Sequence, residues 1–269
     1  MVGRVPRVHP AGPGPDQFRE LTLPDRDAGV SVPVTVVLHG GFWRAAFGVE
    51  LARPLAADLA AAGFVAVAVE YRRVGSGGGW PATLEDVAAA LDVLPGLPDA
   101  GRLDLSDVTV VGHSAGGHLA AWLAGRHRLP AGAPGAHPAV PVTAAVLQAG
   151  VLDLRRAAGQ GLGDGAVAEF LGGGPDAHPE RYAVADPVRL LPTGVPVLCV
   201  HGSADIVVPV QQSRRYAAAA AAVGDSVEVR VLPGDHMTVI DPASEAWATV
   251  LDWMSRGRSA RRDRTTLES

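Results

Sequence analysis

The sequence contains neither lysine nor asparagine, and it has a single cysteine. Without asparagine there is no acceptor for N-glycosylation. Cys199 cannot form an internal disulfide, and it lies inside the apolar run of residues 195–200. Thiols in such surroundings are usually inert, so we expect Cys199 to be a core side chain rather than a nucleophile.

Several other features are missing, and each absence excludes a class of function. No apolar run reaches the roughly 18 residues that would span a bilayer, and no cluster of His, Cys, Asp and Glu has the spacing of a metal site. No dinucleotide-binding loop follows the first strand candidate. With a formal net charge of -5, the chain lacks the basic surface of nucleic-acid-binding proteins. We therefore expect no cofactor, no metal, no membrane partner and no nucleic-acid partner.

Residues 1–20 hold Arg4, Arg7 and several prolines but no continuous apolar stretch. A secretory signal has a charged segment followed by an apolar one, and this layout is absent here. A cytoplasmic location is therefore the expectation.

What is present is an alternation of two kinds of segment. Near-continuous apolar, β-branched runs predict strands buried on both faces, at residues 34–38, 64–69, 108–111 and 195–200, with weaker candidates at 143–147 and 227–231. Ala- and Leu-rich segments of helical length lie between them, at residues 49–62, 81–94, 115–125, 210–223 and 243–254. The alternation predicts a three-layer α/β domain, in which helices cover both faces of a mostly parallel central sheet. Catalytic groups are expected at the carboxyl ends of the strands.

The chain of 269 residues is long for one domain, but α/β folds often reach this length around one sheet, so we expect a single domain over residues 1–269. Residues 1–17 form an N-terminal extension. Residues 151–192, rich in Gly, Pro and Arg, interrupt the alternation, and we expect at most two short helices there and a position bordering the active site. Residues 255–269, rich in Arg, are expected to be a flexible tail.

The segment Gly-His-Ser-Ala-Gly-Gly, residues 112–117, lies directly between a predicted strand and a predicted helix. A sharp strand-to-helix turn exposes a serine nucleophile and needs small neighbours, since side chains at Gly112 and Gly116 would collide as the backbone folds back. The turn also points the free N–H groups of the helix N-terminus at the reaction centre. Ser114 is therefore the predicted nucleophile, and His113 is expected to be structural.

A serine hydroxyl needs a base, and the base needs a partner that fixes its tautomer. Asp205 follows the strand candidate at residues 195–200, and His236 follows the one at residues 227–231. The chain order Ser, Asp, His is that of α/β-hydrolases. We predict His236 as the general base and Asp205 as the acid that orients it.

Two other assignments stay open. Asp205 could instead cap the helix that follows it, in which case Asp153 is the reserve acid. His236 could be an ordinary loop histidine, which would leave His178 or His201 as the base. Of these two, His201 precedes a glycine at a strand end, where an imidazole more often braces the loop.

The segment His-Gly-Gly-Phe-Trp, residues 39–43, follows the strand candidate that ends at Leu38. A tetrahedral intermediate needs N–H donors aimed at its oxyanion, and glycines let backbone N–H groups approach a substrate carbonyl. We predict Gly41 and Phe42 as donors from this loop. Ala115, the residue after the nucleophile, is the predicted third donor.

Three further residues are candidates for contact with the substrate. Gly40 lies in the same loop as the predicted donors. Trp43 and Trp80 are candidates for the walls of an acyl or aromatic pocket, since pockets are commonly lined by aromatic groups. Core packing is the alternative role for each tryptophan.

Taken together, these segments resemble the α/β-hydrolase family. The His-Gly-Gly-Phe-Trp loop, the Gly-His-Ser-Ala-Gly-Gly turn, the His-Gly-Ser-Ala-Asp segment and the Gly-Asp-His end are similar to those of its esterase branch, which includes hormone-sensitive-lipase-like carboxylesterases and kynurenine formamidases (arylformamidases). The likeness extends from about Phe18 to Met254. It implies the three-layer α/β-hydrolase fold, and the short segment of residues 151–192 leaves room for a small cap or none.

Two details bear on the branch. Hormone-sensitive-lipase-like members usually carry three glycines after the histidine, whereas Phe42 and Trp43 follow two glycines here, which is closer to the formamidase loop. The segment Glu-Tyr-Arg, residues 70–72, resembles the Asp-Tyr-Arg that often follows this strand, with glutamate in place of aspartate. Structural ion pairing is the expected role of this segment.

The sequence predicts a serine hydrolase that cleaves small, uncharged carboxylic esters through an acyl-enzyme on Ser114, with a small-molecule ester or amide as its partner. The Phe-Trp pair motivates one alternative, an arylformamidase that hydrolyses amides of the N-formylkynurenine type. An alternative of another class is a non-catalytic ligand-binding module on a hydrolase fold. An acyltransferase would differ only in the group that accepts the acyl chain, and no residue distinguishes it.

Overall fold

The structure is a computed structural model that describes residues 5–26 and 29–267, with the backbone alone for residues 259–267. Its strands are β1 (Arg7–Pro10), β2 (Phe18–Thr22), β3 (Val32–Leu38), β4 (Val65–Glu70), β5 (Leu103–His113), β6 (Ala144–Gln148), β7 (Val197–Gly202) and β8 (Val227–Leu232). They form one sheet in the order β1-β2-β4-β3-β5-β6-β7-β8. The pairs β1–β2 and β2–β4 are antiparallel, and all the other pairs are parallel.

Helices cover both faces of this sheet. One face packs against α1 (Arg53–Ala61) and α8 (Glu245–Leu267). The other face packs against α2 (Ala82–Asp92), α3 (Ala115–Gly125), α4 (Leu154–Gly159), α5 (Leu162–Leu171), α6 (Pro179–Ala185) and α7 (Gln211–Ala222). Every residue of β3 and β4 is buried, which explains why these strands read as continuous apolar runs. Within the described ranges, no helix is both long enough and apolar enough to span a bilayer.

The carboxyl ends of the parallel strands lie at one edge of the sheet. At this edge the register pairs Leu38 with Gly112, His113 with Gln148 and Gly202 with Leu232. The loops after β3, β5, β7 and β8 therefore emerge side by side. They carry the four predicted parts of the site: the oxyanion loop, Ser114, Asp205 and His236.

The predicted fold class is confirmed, since the six predicted strands and five predicted helices are all present in a three-layer arrangement. The two antiparallel strands were not predicted. β1 lies within the N-terminal extension, and β2 has the sequence Phe-Arg-Glu-Leu-Thr, so both are short and rich in polar residues. Short segments rich in polar residues carry little periodic signal, although β2 is largely buried between β1 and β4.

Two other segments differ from their predictions. Residues 151–192 contain three α-helices rather than at most two, because left-handed residues at 163–165 let the glycine-rich start of α5 turn into a regular helix. The predicted flexible tail from residue 255 instead continues α8 as far as Leu267, and residues 268–269 lie outside the described part. Arginine is a good helix former, and each residue added to an existing helix gains one backbone hydrogen bond.

Candidate active site

Ser114 occupies the sharp turn between β5 and α3. Its backbone has φ 56° and ψ -116°, a conformation that costs a residue with a side chain on the order of 1–3 kcal/mol. The Ser114 N–H donates to Gln148 O at 2.8 Å, and the His118 N–H donates to Ser114 O at 3.1 Å. These bonds hold the strained residue at the N-terminus of α3, where it is only 2% exposed.

Three glycines allow this turn to pack closely. A Cβ on Gly112 would overlap the backbone of Gly116, and a Cβ on Gly116 would overlap the carbonyl of Leu38 at the end of β3. A Cβ on Gly117 would lie 2.7 Å from the Cα of Gly150, just after β6. The collisions expected at Gly112 and Gly116 are therefore present, and the turn is packed against the ends of both neighbouring strands.

Asp205 and His236 meet in a hydrogen bond of 2.7 Å between Asp205 Oδ2 and His236 Nδ1. The side chain of Asp205 is fully buried, and that of His236 is 10% exposed. An ionised carboxylate only accepts hydrogen bonds, so the imidazole donates from Nδ1 and keeps the lone pair on Nε2. Nε2 makes no hydrogen bond to a described residue, and it is therefore available to accept a proton.

A glycine lets the loops that carry these two side chains approach each other. A Cβ on Gly202 would overlap the backbone just before His236. The N–H of Ala204 donates to Gly234 O at 2.9 Å, and the N–H of Ser203 donates to the last carbonyl of β8 at 2.8 Å. The acid loop and the base loop are thus joined along their backbones, which brings the carboxylate and the imidazole together.

The carboxylate of Asp205 also holds its own loop. Its Oδ1 accepts the N–H groups of Val207 (2.8 Å) and Val208 (2.9 Å), and its Oδ2 lies 3.3 Å from His201 Nε2. Burial by itself raises the pKa of Asp205, but the hydrogen bonds from two histidines and a backbone N–H outweigh burial and hold this pKa below its usual value. Asp205 is therefore ionised at neutral pH. Its carboxylate closes the turn before α7 and holds His236 Nδ1, but it does not cap α7, whose N-cap is Val210. The alternative role as a helix cap is therefore not the one found.

His113 connects the turn at Ser114 to the base. Its Nε2 donates to the backbone carbonyl of His236 at 2.9 Å, and the two rings lie 4.5 Å apart. Burial lowers the pKa of His113 to about 3, so this ring stays neutral at physiological pH. Since His113 adjoins Ser114, this bond ties the loop of His236 to the turn that carries the serine. The hydroxyl of Ser114 has no hydrogen-bond partner among the described residues.

The loop after β3 is strained. Three consecutive residues, Gly41, Phe42 and Trp43, have positive φ values of 111°, 51° and 56°. For the two aromatic residues this conformation costs on the order of 1–2 kcal/mol each. Backbone hydrogen bonds offset part of that cost, from Arg44 N–H to Gly41 O at 2.9 Å and from Val74 N–H to Trp43 O at 2.8 Å.

The same loop lies against the predicted nucleophile. A Cβ on Gly40 would lie 3.0 Å from Ser114 Cβ. The backbone N–H groups of Gly41, Phe42 and Ala115 make no hydrogen bond within the described part of the chain. Unpaired N–H groups beside a serine can stabilise a developing negative charge, so the three predicted donors are free for that role.

The two candidate wall residues differ in their surroundings. Trp43 is fully buried, where its Nε1 donates to His118 Nδ1 at 3.2 Å and its ring stacks on Phe170 with 4.8 Å between centroids. The structure thus places Trp43 in the core beneath the loop rather than on an open wall. Trp80 is half-buried, and its backbone N–H donates to Phe170 O at 2.8 Å.

Residues 151–192 pack against the loop from its other side. A Cβ on Gly163 would overlap the ring of Phe42. Arg44, one residue after the loop, donates from Nε to Glu169 Oε2 at 2.7 Å. With these contacts and the stack on Trp43, the segment borders the backbone that carries the predicted oxyanion donors.

The alternative catalytic residues have other hydrogen-bond partners. Asp153 caps α4 by accepting a backbone N–H at 3.1 Å, and His178 lies 3.1 Å from a backbone carbonyl in the segment of residues 151–192. Both ring nitrogens of His201 are used at 2.8 Å, one by a backbone carbonyl and the other by Ser213 Oγ. Burial raises the pKa of Cys199 to about 12, so it stays a thiol. The described residues contain no group of three or more possible metal ligands.

Exposed apolar side chains adjoin the predicted base and acid in the chain. One follows the base and two follow the acid in the chain: Met237, Ile206 and Val207. Phe47, which is also exposed, packs against Gly41 in the oxyanion loop.

Two contacts of the site were not predicted. One is the bond from His113 to the carbonyl of His236. The other involves His39, whose Nε2 lies 3.1 Å from Glu70 Oε1 and whose Nδ1 lies 2.8 Å from Gly40 O. In both cases the signal in the sequence is a histidine next to a predicted site residue at the end of a buried strand, where a side chain faces the neighbouring strand ends.

The chain was compared with protein families and with curated proteins. The BD-FAE family model matches residues 20–219, well over half of the chain. The chain is 30% identical to Esterase LipC of Mycobacterium tuberculosis, a match that covers 91% of this chain and 63% of that protein. It is 32% identical to Esterase LipQ of the same organism, with 84% and 55% covered. The chain therefore spans between about half and two thirds of the length of these relatives.

Solved structures with the same fold include a truncated form of a carbohydrate esterase from gut microbiota, with a TM-score of 0.79 at 20% identity and coverage of 95% of this chain and 98% of that one. A bifunctional GH43-CE protein of Bacteroides eggerthii has a TM-score of 0.76 at 25% identity and covers 95% of this chain with 38% of its own. The predicted α/β-hydrolase fold and esterase resemblance are confirmed by these matches. The chain belongs to the BD-FAE family of α/β-hydrolases.

Proposed function

We propose that the chain is a serine hydrolase that cleaves carboxylic esters through an acyl-enzyme on Ser114. One observation carries the proposal: Asp205 holds the imidazole of His236 at Nδ1 and leaves its Nε2 without a partner among the described residues, while His113, the neighbour of Ser114, bonds to the backbone carbonyl of His236. A positioned base with a buried carboxylate partner is the arrangement that activates a serine hydroxyl. Its similarity to proteins named as esterases supports the same activity.

In acylation, Ser114 Oγ attacks the ester carbonyl carbon while its proton moves to His236 Nε2. The carbonyl oxygen becomes an oxyanion, which accepts hydrogen bonds from the N–H groups of Gly41, Phe42 and Ala115. Asp205 stabilises the imidazolium that forms. The intermediate then collapses as His236 returns its proton to the leaving alkoxide, so that an alcohol departs and the acyl group stays on Ser114.

In deacylation, water replaces the alcohol. The water oxygen attacks the acyl carbon while His236 Nε2 takes a proton from the water. The same three N–H groups donate to the second oxyanion. Collapse breaks the bond to Ser114 Oγ, which regains a proton from His236. A carboxylic acid is released, and the resting protonation state is restored.

The substrate class follows from the surface around the site. The exposed Phe47, Ile206, Val207 and Met237 favour an uncharged, apolar ester. The segment of residues 151–192 contacts Phe42 and Arg44 and supplies little chain from which to build a large lid, which favours small acyl groups. The cytoplasmic location stays a prediction, as do the absence of nucleic-acid and membrane partners and the single-domain organisation.

Labelling with a fluorophosphonate probe tests whether Ser114 is an activated nucleophile. The wild-type protein should be labelled, and Ser114→Ala should not. Ser106→Ala is the matched control, because Ser106 is an exposed serine on the same strand whose hydroxyl donates to Asp104. Loss of activity with a correctly folded Ser114→Ala supports catalysis; failure of the wild-type protein to react would favour a non-catalytic binding module.

A substrate panel separates the ester and formamide readings. Initial rates are measured for a series of p-nitrophenyl acyl esters and for N-formylkynurenine. We expect the highest kcat/KM with a short acyl ester. A formamide rate far above every ester rate would make the chain an arylformamidase, and transfer of the acyl group to an added alcohol faster than to water would make it an acyltransferase.

A further inference from the structure

His39 is the first residue of the oxyanion loop, and it is fully enclosed. Its ring stacks on Tyr71 with 4.3 Å between centroids and an interplanar angle of 7°. Its Nδ1 lies 2.8 Å from Gly40 O, and its Nε2 lies 3.1 Å from Glu70 Oε1. A carbonyl oxygen only accepts hydrogen bonds, so Nδ1 donates to Gly40 O, and the carboxylate of Glu70 faces the other ring nitrogen.

Glu70 is itself fixed by the surrounding backbone. Its Oε2 accepts the N–H of Val49 at 2.8 Å, and its Oε1 accepts the N–H of Tyr71 at 3.1 Å. Arg73 pairs with the same carboxylate. A carboxylate with this many partners cannot rotate without losing hydrogen bonds, so Glu70 is a rigid anchor for the ring of His39.

The bond from His39 to Gly40 O determines the orientation of the next peptide group. In a trans peptide the carbonyl of one residue and the N–H of the next point in opposite directions. With Gly40 O held by His39, the N–H of Gly41 points away from that ring. Gly40 itself lies against Ser114, where its Cβ would be 3.0 Å from the serine Cβ.

A loop of this kind needs such a constraint. Glycine rotates freely, and two consecutive glycines precede the two aromatic residues with positive φ, so the peptide between Gly40 and Gly41 could turn over at small cost. If it did, the carbonyl rather than the N–H would face the oxyanion, and repulsion would replace stabilisation. A hydrogen bond to the carbonyl from a ring anchored by a carboxylate opposes that rotation.

We infer that His39 and Glu70 are a positioning pair, which holds the Gly40–Gly41 peptide so that the Gly41 N–H faces the oxyanion. The inference rests on the proposed hydrolysis at Ser114. It assigns a role in the reaction to a glutamate for which the sequence predicted only an ion pair. Neither His39 nor Glu70 touches the reacting atoms; both act through the backbone of the loop.

Two substitutions of His39 separate its two hydrogen bonds. His39→Asn keeps an amide N–H near the position of Nδ1, so the bond to Gly40 O can be retained, whereas His39→Gln keeps an N–H near the position of Nε2 and loses it. We expect His39→Gln to lower kcat about 10- to 100-fold with little change in KM, since losing one oxyanion donor entirely costs on the order of 10²–10³. His39→Asn should recover most of this loss.

Glu70 provides an independent pair of variants. Glu70→Gln removes the charge that anchors the ring and should lower kcat about tenfold, within the range for a partly lost oxyanion donor. Glu70→Asp keeps a carboxylate and should be closer to the wild type. His127→Gln serves as the histidine control, because His127 is exposed at the far end of α3. If His39→Gln fails to fold, the Glu70 pair carries the test alone.

The decisive readout is binding of a trifluoromethyl ketone, which forms a tetrahedral adduct with the serine and places an oxyanion in the site. Its inhibition constant should rise by the same factor as kcat/KM falls across the variants, while the melting temperature does not follow that order. A loss that tracks the melting temperature, or equal activity of His39→Asn and His39→Gln, would overturn the inference while leaving the function intact. A wild-type Ser114 that no fluorophosphonate labels would overturn both.

Discussion

The pair of Asp205 and His236 and the pair of Glu70 and His39 each join a carboxylate to one nitrogen of an imidazole. They differ in whether the second nitrogen of the ring has a partner. In the pair of Asp205 and His236, Nε2 has no partner among the described residues. In the pair of Glu70 and His39, Nδ1 lies 2.8 Å from the carbonyl of Gly40. Both pairs are buried at the same edge of the sheet. Burial and a carboxylate partner are therefore shared by the histidine proposed as the base and by one that is not, and the two rings differ in whether the second nitrogen has a partner.

The largest expected effect comes from the pair with the open nitrogen. His236→Gln removes the proton acceptor, and kcat/KM should fall on the order of 10⁵-fold, measured with a short p-nitrophenyl ester. His178→Gln is the matched control and should keep wild-type activity. If the two variants were equally active, His236 would not be the base, and an unpartnered second nitrogen would not distinguish a base from a structural histidine.

The acid of the same pair should show the next largest effect. Asp205→Asn keeps the size of the side chain but allows the wrong imidazole tautomer, so kcat should fall on the order of 10⁴-fold. Asp153→Asn, which alters only a helix cap, provides the comparison and should cost less than about 1 kcal/mol of stability without a comparable loss of rate. Steady-state kinetics and thermal unfolding of both variants give the answer.

The fall of kcat/KM at low pH should depend on the pair of His236 and Asp205 and not on the pair of His39 and Glu70. His236 must be neutral to take the serine proton, so activity declines as the pH is lowered and the ring becomes protonated, by about tenfold for each pH unit on this limb. The pKa of Asp205 is held below its usual value, and this carboxylate stays ionised over the same range. Glu70→Gln should lower the whole profile without moving the limb. A flat profile of kcat/KM from about pH 5 to 8 would remove His236 from its role.

Asp186 is a third buried carboxylate, and it shows how burial changes the pKa of a carboxyl group that has no imidazole partner. Asp186 accepts the N–H groups of Leu154 at 2.9 Å and Arg155 at 3.2 Å. Burial raises the pKa of Asp186 to about 7, and these backbone donors offset burial only in part. The folded chain therefore keeps a proton that the unfolded chain releases above about pH 4. Its free energy of unfolding should fall as the pH rises from about 4 to 7, by at most about 1.4 kcal/mol per pKa unit.

Asp186→Asn tests this smallest effect. The variant cannot titrate, so the stability difference between the wild-type protein and the variant should narrow as the pH rises. Urea unfolding at about pH 5 and about pH 7.5 measures this difference. A difference that widens with pH would mean that the folded state holds Asp186 ionised, as it holds Asp205.

The predictable parts of the fold are those whose signal is local. Strands buried on both faces are apolar throughout, and the turn at Ser114 needs small residues at fixed positions, so both can be read from the sequence. The order Ser114, Asp205, His236 likewise follows from motifs at strand ends. β1 and β2 were missed because they are short and rich in polar residues, and because β2 joins the sheet through β4, a strand distant in sequence.

The unpredicted parts of the site depend on contacts between distant segments. Glu70 and His39 are 31 residues apart and meet only because β4 lies beside β3 in the sheet. The burial of Trp43 depends on Phe170, more than one hundred residues later. The continuation of α8 beyond residue 255 depends on the helix that precedes it, whereas the composition of that stretch indicated a frayed end.

The position of β8 has a consequence for how the protein loses activity. β8 is the outermost strand on its side of the sheet, half exposed and bonded to β7 alone, yet the loop after it delivers the imidazole. Outer ladders with few buried contacts open at a lower free energy than the centre of a sheet. Moderate heating should therefore abolish hydrolysis by opening the β7–β8 ladder, at a temperature where the circular dichroism signal of the folded chain is still unchanged.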